Sequence, residues 1–194
     1  MKSFNIAAYI SGSGSNLRAV IESSIDGTIA SKVKLVIADK EAKGLEYPDS
    51  IGIETAVISR KNLPRSEFLK RQHDLLKKHS IDLIILAGFL KKLPPEIVHE
   101  YDGKILNIHP ALLPKFGGKG FYGMNVHRAV LEAGEEYSGP TVHFVDEKYD
   151  NGEILVQRKV KIDGNETPES LQNKVLKEEH TIFTEAIKIL EERE

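Results

Sequence analysis

Asn107 and His109 are the residue pair whose types and spacing most directly suggest chemistry. They lie two residues apart in "ILNIHPALLP", residues 105–114, at the end of an apolar run. Side chains alternate between the faces of a strand, so the amide and the imidazole would project from one face. Pro110 follows at once and cannot donate a ladder hydrogen bond, which places His109 at the rim of a sheet. A single histidine at a rim is more often structural than catalytic.

A group of carboxylates further along the chain makes a catalytic role for His109 more plausible than the histidine alone would. Asp146, Glu147 and Asp150 cluster in "VDEKYDNGE", just after another apolar run. A carboxylate beside His109 would orient the imidazole and raise its pKa, which favours the protonated form. An amide donor, a histidine and a carboxylate make a set suited to acyl transfer, because the amide can donate to a developing oxyanion. We therefore predict that Asn107, His109 and Asp150 converge.

The stretch "SGSGSNL", residues 11–17, predicts a second site. It combines glycines that allow close backbone approach with polar side chains beside a helix N-terminus: Gly12, Ser13, Gly14, Ser15 and Asn16. Free N–H groups at such a terminus favour an anion, and a phosphate would fit. Leu17 occupies the third glycine position of a dinucleotide fingerprint, and the ending of a Walker loop is missing. An ordinary glycine turn with a serine cap is the alternative.

The elements that must position these residues follow from hydrophobic periodicity. Apolar runs of strand length, "FNIAAYI", "KVKLVIA", "TAVIS", "DLIILAG" and "KILNI", alternate with the amphipathic stretches "SNLRAVIESSI" and "SEFLKRQHDLLKKH". This alternation predicts an α/β fold of Rossmann-like type, with helices covering a largely parallel sheet. Ligands of such sheets collect at the carboxyl ends of the strands, where both the glycine turn and His109 would lie.

The second half of the chain is expected to add one helix, two strands and a long final helix. The helix "NVHRAVLEAG" should stop at Gly134, and the strands should be "PTVHFVDE" and "EILVQRKVKI". The last helix should open with Thr167 as its cap and Pro168 in its first position, followed by Glu169 near the positive end of the helix dipole.

Composition narrows the class of protein. The chain has 194 residues and is expected to form one domain over 1–194. With 27 Lys and Arg against 29 Asp and Glu, it lacks the basic excess of a nucleic-acid-binding protein. It has no cysteine, no H-E-x-x-H pattern and no run near the roughly 20 apolar residues of a membrane span. We expect a cytoplasmic protein without metal, nucleic-acid or membrane partners. The apolar run near the N-terminus is interpreted as the first strand and not as a signal peptide.

Five motifs together resemble a known family. "ISGSGSNL", "LAGFLKKL", "ILNIHPALLPKF", "TVHFVDEKYDNGEIL" and "EEHTIF" stand in the order and spacing of the phosphoribosylglycinamide formyltransferase family of folate-dependent formyltransferases. The resemblance covers essentially the whole chain. It implies a doubly wound, mostly parallel sheet with a mixed-direction edge and helices on both faces. It also implies formyl transfer from 10-formyltetrahydrofolate, a co-substrate, to the amine of glycinamide ribonucleotide in purine biosynthesis, by direct attack through a tetrahedral intermediate.

The resemblance also implies roles for individual residues. Asn107 donates to the oxyanion, protonated His109 stabilises it, Asp150 pairs with His109 and assists proton movement, and His143 supports the site. Phosphate rests on the glycine turn, and Glu179 contacts the amine end or the ribose. The residues expected to bind folate are Leu90, Lys91, Lys92, Leu93, Val145, Asp146 and Glu147. A cis Leu113–Pro114 bond is a further implication.

Two features depart from the family pattern. Leu176 stands where the family often has a Lys or Gln that contacts the phosphate, so we do not assign that contact to this chain. The adjacent Lys177 would point elsewhere on the helix. The stretch "FGGKGFYGMNVH" is longer than in some members, and its four glycines, within residues 117–123, suggest either a mobile lid or simply a longer surface loop.

The remaining histidines are expected to be structural or exposed. His73, His79 and His99 should face solvent, whereas His127 and His180 should pack helices or anchor loops. Three rival functions stay open: a methionyl-tRNA formyltransferase, which should carry a further tRNA-binding domain; a sensor of a phosphorylated metabolite; and a formyltetrahydrofolate hydrolase. The expected partners are glycinamide ribonucleotide and folate, with the oligomeric state left open between monomer and homodimer.

Overall fold

The structure, a computed structural model, describes residues 2–193. Its main sheet has seven strands in the order β3-β2-β1-β4-β5-β7-β8. Their bounds are β1 Asn5–Ile10, β2 Lys32–Ala38, β3 Glu54–Val57, β4 Leu83–Leu86, β5 Ile105–His109, β7 Thr141–Phe144 and β8 Ile154–Gln157. A separate two-stranded sheet pairs β6, Tyr137–Ser138, with β9, Val160–Lys161. The helices are α1 Ser15–Ile25, α2 Glu46–Ser50, α3 Arg65–Lys78, α4 Pro95–Glu100, α5 Met124–Glu132 and α6 Pro168–Glu192, and a 3-10 turn, Lys43–Leu45, precedes α2.

The direction of the strands confirms the predicted fold class. Strands β1 to β5 pair in parallel, whereas β7 runs antiparallel to β5 and β8 antiparallel to β7. The central strands are buried on both faces: Ile6, Ala8 and Ile10 join the apolar cluster that includes α1 and α6, and Ala7 and Tyr9 join the cluster on the opposite face. Burial on both faces explains why these strands read as continuous apolar runs.

The region after β7 differs from the prediction of a single strand "EILVQRKVKI". Strand β8 ends at Gln157, because Pro140, which lies opposite Arg158, accepts the Arg158 N–H at 3.1 Å but has no N–H to return a ladder bond. The Arg158 guanidinium also reaches Glu178 at 3.1 Å and Thr181 at 2.8 Å, both on α6. The chain therefore leaves the main sheet, and its continuation pairs as β9 in the small sheet. The short helices α2 and α4 were not predicted either.

The final helix begins as the sequence predicts. The Thr167 hydroxyl accepts the N–H of Ser170 at 3.1 Å, the Ser170 hydroxyl accepts the N–H of Thr167 at 2.9 Å, and Pro168 is the first helical residue. This reciprocal cap satisfies backbone donors that the helix itself leaves free. Helix α5 ends at Glu132, and Gly134 follows with the left-handed φ of 66° expected of a stop signal. The Leu113–Pro114 peptide bond is cis.

Within residues 2–193, no helix has both the length and the apolar character that crossing a bilayer demands.

Candidate active site

A cavity of about 620 Å³ opens at the carboxyl ends of β1, β4 and β5. It brings together nearly all residues that the sequence singled out. Those lining it are Gly12, Ser13, Gly14, Ser15, Asn16, Leu90, Lys91, Lys92, Leu93, Asn107, His109, His143, Val145, Asp146, Asp150 and Glu179. Glu147 is the exception, because its carboxylate lies outside the cavity and pairs with the exposed His99 at 2.8 Å.

The antiparallel pairing of β5 with β7 places Asn107 directly opposite His143. The Asn107 Nδ2 lies 3.1 Å from His143 Nε2, and His143 Nδ1 lies 2.7 Å from the carbonyl of Phe144. A carbonyl can only accept, so Nδ1 carries the proton and Nε2 accepts from the Asn107 amide. The same Asn107 Nδ2 is 3.4 Å from Asp150 Oδ1, so both amide hydrogens are directed at acceptors. His143 therefore fixes the orientation of the Asn107 side chain.

The His109 ring is held in place through its Nε2 nitrogen. Its Nε2 donates to the carbonyl of Phe116 at 2.7 Å, while Nδ1 lies 3.6 Å from Asp150 Oδ2, beyond hydrogen-bond length. The Asp150 Oδ2 instead accepts the N–H of Gly118 at 2.8 Å. Phe116 and Asp150 both have left-handed backbones, with φ of 54° and 50°. Such conformations are strained for these residue types and are concentrated at functional sites.

The pKa of His109 shifts in the direction opposite to the one that the sequence predicted. Burial lowers the pKa of His109, and it outweighs the opposing effects of the Asp150 charge and the Phe116 carbonyl. For Asp150, burial acts to raise the pKa, but the contacts with His143, His109 and the Gly118 N–H together bring it below its usual value. The Asp150 carboxylate therefore does not raise the pKa of His109 above its ordinary value, because its charge does not offset the loss of hydration.

In the glycine turn, the position that requires glycine is Gly14. It is the N-cap residue of α1, with a φ of 72°, so the serine cap of the alternative interpretation does not begin this helix. A Cβ at Gly12 would meet no atom within 4 Å, and its φ lies outside the left-handed region. No protein atom therefore occupies the space beside Gly12, and the close approach of a ligand to its backbone stays a prediction.

Helix α6 contributes a buried carboxylate to the same end of the cavity. Asn16 Nδ2 donates to Glu179 Oε2 at 2.6 Å, and Glu179 is only 8% exposed. Burial raises the pKa of Glu179 against the opposing effect of this hydrogen bond. Within residues 2–193, the Oδ1 of Asn16 is buried without a hydrogen-bond partner. This end of the cavity holds an unused acceptor and a carboxyl group that a polar substrate could engage.

The segment after β4 and the loop after β7 form the other predicted binding region. The N–H of Leu90 donates to the Ser11 hydroxyl at 2.9 Å, and the Leu90 side chain is 53% exposed. The Asp146 carboxylate accepts from the N–H of Lys148 at 2.7 Å and from the Asn151 amide at 2.8 Å. Its oxygens therefore shape the loop that carries Asp150.

The glycine-rich segment 117–123 covers part of this cavity. Phe121 packs edge-on against Phe116, with ring centroids 6.2 Å apart, and the Gly118 N–H is bound by Asp150. A Cβ at Gly117 would lie 2.5 Å from Leu113 Cδ2 and 3.1 Å from Asp150 Cβ, so this glycine lets the segment pass close to Asp150. The segment is tied to the site at its first residues, and a lid motion of the remainder stays a prediction.

Sequence reasoning missed His127 as a lining residue. His127 is 2% exposed and borders the cavity. Burial lowers its pKa to about 4, and repulsion by His109 makes a smaller contribution in the same direction. The signal was present, because His127 lies three residues before the buried Val130 on the apolar face of α5. His79 also differs from expectation: its side chain is 19% exposed and its Nε2 contacts Glu54 at 2.8 Å.

Comparison with known proteins agrees with this arrangement. Residues 4–187 match the formyl transferase family. The chain is 46% identical over 192 residues to the chloroplastic phosphoribosylglycinamide formyltransferase of Arabidopsis thaliana, covering 97% of this chain and 66% of that protein. It is 39% identical over 185 residues to phosphoribosylglycinamide formyltransferase of Haemophilus influenzae, covering 94% of this chain and 85% of that one. A crystal structure of glycinamide ribonucleotide transformylase 1 from Symbiobacterium toebii has a TM-score of 0.90 at 35% identity, covering 98% of this chain and 88% of that one.

The chain belongs to the formyl transferase family. The relatives that it resembles within the family are phosphoribosylglycinamide formyltransferases, which confirms the family predicted from the motifs. The chain spans slightly less than two thirds of the Arabidopsis protein's length but most of the bacterial relative's. The family uses a folate-derived formyl donor.

Proposed function

We propose that the chain transfers the formyl group of 10-formyltetrahydrofolate to the amine of glycinamide ribonucleotide, in purine biosynthesis. The observation that carries this proposal is a single cavity shared by the glycine turn, the Leu90–Leu93 segment and the Asn107, His109 and Asp150 side chains. One cavity with an anion-binding turn and a set of acyl-transfer groups suits a reaction that joins two substrates.

The acceptor would lie at the glycine-turn end. Its phosphate would meet the free N–H groups of the first turn of α1, together with Ser13, Ser15 and Asn16. Glu179 would receive the amine end or the ribose, because its carboxyl group is buried in the same cavity wall and is held by Asn16. Leu176 also lines the cavity, and it offers no hydrogen bond to a phosphate there.

Asn107 would act on the formyl oxygen. As the amine lone pair bonds to the formyl carbon, the carbonyl π electrons move to oxygen, and a donor aimed at that oxygen lowers the barrier. The Asn107 amide can exchange its long 3.4 Å contact with Asp150 for the oxyanion while keeping its 3.1 Å bond to His143. His143 would thus support the reaction by holding the amide in place.

His109 and Asp150 would manage the protons. The attacking amine must lose one proton, and the folate nitrogen must gain one as its bond to the formyl carbon breaks. Because Nε2 of His109 donates to the Phe116 carbonyl and burial lowers the pKa of the ring, we propose that Nδ1 takes up a proton through water as the intermediate forms. The imidazolium would then lie between the Asp150 carboxylate and the Phe116 carbonyl and would stabilise the oxyanion. As the formyl carbonyl forms again and the bond from carbon to the folate nitrogen breaks, the imidazolium would return its proton through water to that nitrogen.

The donor would occupy the region of Leu90, Lys91, Lys92 and Leu93, with Val145 and Asp146 on the facing loop. Glu147 does not line this region, so we leave it out of the proposed folate contacts. We further propose that residues 1–194 act as one domain, in the cytoplasm, on these two small substrates. This proposal needs no metal, nucleic acid or membrane.

A product assay tests the proposal against its rivals. The protein is incubated with 10-formyltetrahydrofolate alone, with glycinamide ribonucleotide, or with methionyl-tRNA. The products are followed by mass spectrometry, and ligand binding is measured by calorimetry. Formylated glycinamide ribonucleotide, formed one for one with tetrahydrofolate, is expected. Free formate released without acceptor would indicate the hydrolase, binding of both ligands without turnover would indicate a sensor, and transfer to methionyl-tRNA alone would indicate the tRNA enzyme. Any of these three results would contradict the proposal.

A further inference from the structure

Gly44 touches the glycine turn from outside the cavity. It lies in the 3-10 turn after β2, it is buried, and it does not line the cavity. Its N–H donates to the carbonyl of Gly12 at 3.1 Å. A Cβ on Gly44 would lie 2.9 Å from the Gly12 oxygen, 2.9 Å from Gly14 Cα and 2.8 Å from Ile10 Cδ1. Any side chain at position 44 would therefore displace the turn.

The same contact constrains the turn from its own side. A Cβ on Gly14 would lie 2.8 Å from Gly44 Cα, and Gly14 has the left-handed φ of 72°. The two chain segments thus meet backbone to backbone, at a distance that only two glycines allow. A second contact lies nearby, where the Arg18 guanidinium stacks over the Tyr47 ring at 4.6 Å. The segment after β2 is therefore fastened to the first residues of α1.

The hydrogen bond from Gly44 decides which way one peptide group of the turn faces. The peptide between Gly12 and Ser13 is trans, so its carbonyl and its N–H point in opposite directions. With the Gly12 carbonyl held by Gly44 behind the turn, the Ser13 N–H points away from Gly44, and Ser13 lines the cavity. An anion is attracted by an N–H group and repelled by a carbonyl oxygen. The orientation of this peptide therefore decides whether the turn attracts a phosphate.

We infer that Gly44 is a positioning residue for the acceptor's phosphate, acting through the Gly12–Ser13 peptide without touching the substrate. The inference rests on the proposed function, which places the phosphate on this turn. It accounts for the close approach of two glycines from separate strand–helix connections, and it predicts that a change at Gly44 affects one ligand selectively. The donor region lies on other loops and should be unaffected.

The test combines one substitution with one change in the substrate. In Gly44→Ala, the new Cβ pushes the Gly12 peptide out of line, and the KM for glycinamide ribonucleotide should rise about 10- to 100-fold, the effect of losing one charge-assisted hydrogen bond. The kcat and the KM for 10-formyltetrahydrofolate should stay within about twofold of wild type. With the dephosphorylated acceptor, kcat/KM should be the same for the variant and the wild type. Gly164→Ala, at an exposed position where a Cβ meets nothing within 4 Å, is the matched control.

A second variant guards against loss of folding. Ile10→Val removes the Cδ1 that a Cβ on residue 44 would approach to 2.8 Å. Of the three nearest atoms, Gly44→Ala in that background then meets those of Gly12 and Gly14. The selective rise in KM should persist there, relative to Ile10→Val alone. Equal losses with both acceptors would show general damage and overturn the role of Gly44. A wild-type protein that does not discriminate between the two acceptors would instead contradict the proposed phosphate site itself.

Discussion

The two histidines at the centre of the site hold their protons on opposite ring nitrogens. His109 donates from Nε2 to Phe116, and His143 donates from Nδ1 to Phe144. Each therefore turns an unprotonated nitrogen toward Asp150, at 3.6 Å in both cases. The His143 lone pair is already engaged by the Asn107 amide, so the free place for an incoming proton is Nδ1 of His109, where the resulting imidazolium gains the opposite charge of Asp150. This arrangement favours proton uptake during the reaction over a permanent imidazolium.

Replacing Asn107 by alanine should abolish most turnover without unfolding the protein. Loss of an oxyanion donor costs about 2.7 to 4 kcal/mol of transition-state stabilisation, so kcat should fall about 10²- to 10³-fold. Binding of each substrate in the ground state should change little, as calorimetry would show. Asn165→Ala, at an exposed position, is the control. A near-normal kcat combined with weaker substrate binding would contradict the oxyanion role.

Replacing Asp150 by asparagine should lower the pKa of His109 further. Burial already depresses this pKa, and the Asp150 charge is the largest effect opposing it. Titration of the His109 ring by NMR should show a pKa below 6.5 in the wild type and a lower one in the variant. The rate should drop on the order of 10²-fold or more, because the protonated ring loses its counter-ion.

The control for this titration is Asp102→Asn, which removes an exposed carboxylate outside the cavity. It should leave both the His109 pKa and the rate unchanged. An equal or higher His109 pKa in Asp150→Asn would show that the two groups are not electrostatically coupled.

At the scale of elements, helix α5 carries a buried histidine whose neutral form favours the folded state. Burial lowers the His127 pKa from 6.5 to about 4 in the folded protein. The unfolded chain therefore binds more protons than the folded one between these values, and stability is lost as the pH falls from 6.5 toward 4. Above pH 6.5 the contribution is fully present.

Urea unfolding should reveal this linkage. Between pH 7.5 and pH 5, the wild type should lose up to about 2 kcal/mol more free energy of unfolding than His127→Gln, which has no titrating ring at that position. His99→Gln, whose wild-type side chain is 70% exposed, should behave as the wild type does. If the wild type and His127→Gln respond to pH identically, the ring is not held neutral by burial.

At the scale of the whole molecule, the cavity depends on segments that are distant in sequence. The amide of Asn16, at the start of α1, binds Glu179 on α6, 163 residues away. The proposed catalytic groups come from β5 and the loop after β7. The proposed acceptor region and the proposed donor region therefore lie on separate loops of one sheet edge. A change confined to one region should leave binding in the other intact.

Gly12→Val tests this independence. A Cβ at Gly12 would meet no protein atom within 4 Å, so we expect the valine side chain to occupy the acceptor end of the cavity without disturbing the fold. Calorimetry should show weak binding of glycinamide ribonucleotide and nearly normal binding of the folate. Gly164→Val, equally free of neighbours but outside the cavity, should bind both normally. Undiminished acceptor binding by Gly12→Val would place the phosphate elsewhere.

The sequence alone determined the features that depend on local patterns. Continuous apolar runs predicted the buried parallel strands, Thr167 and Pro168 predicted the start of α6, and the two-residue spacing placed Asn107 and His109 on one face of β5. The motifs also identified the family, and they named most of the cavity lining because strand ends meet at one edge of a parallel sheet.

Only the tertiary structure decided how these groups act on one another. The charge of His109 depends on how much water the surrounding chain excludes, so no spacing could show that burial would outweigh Asp150. His127 entered the cavity wall, Glu147 left it, and Gly44 met the glycine turn, because each outcome depends on distances between segments far apart in the chain. Local pattern specifies which groups a chain offers, but desolvation and close contact are set by the packing of the whole molecule.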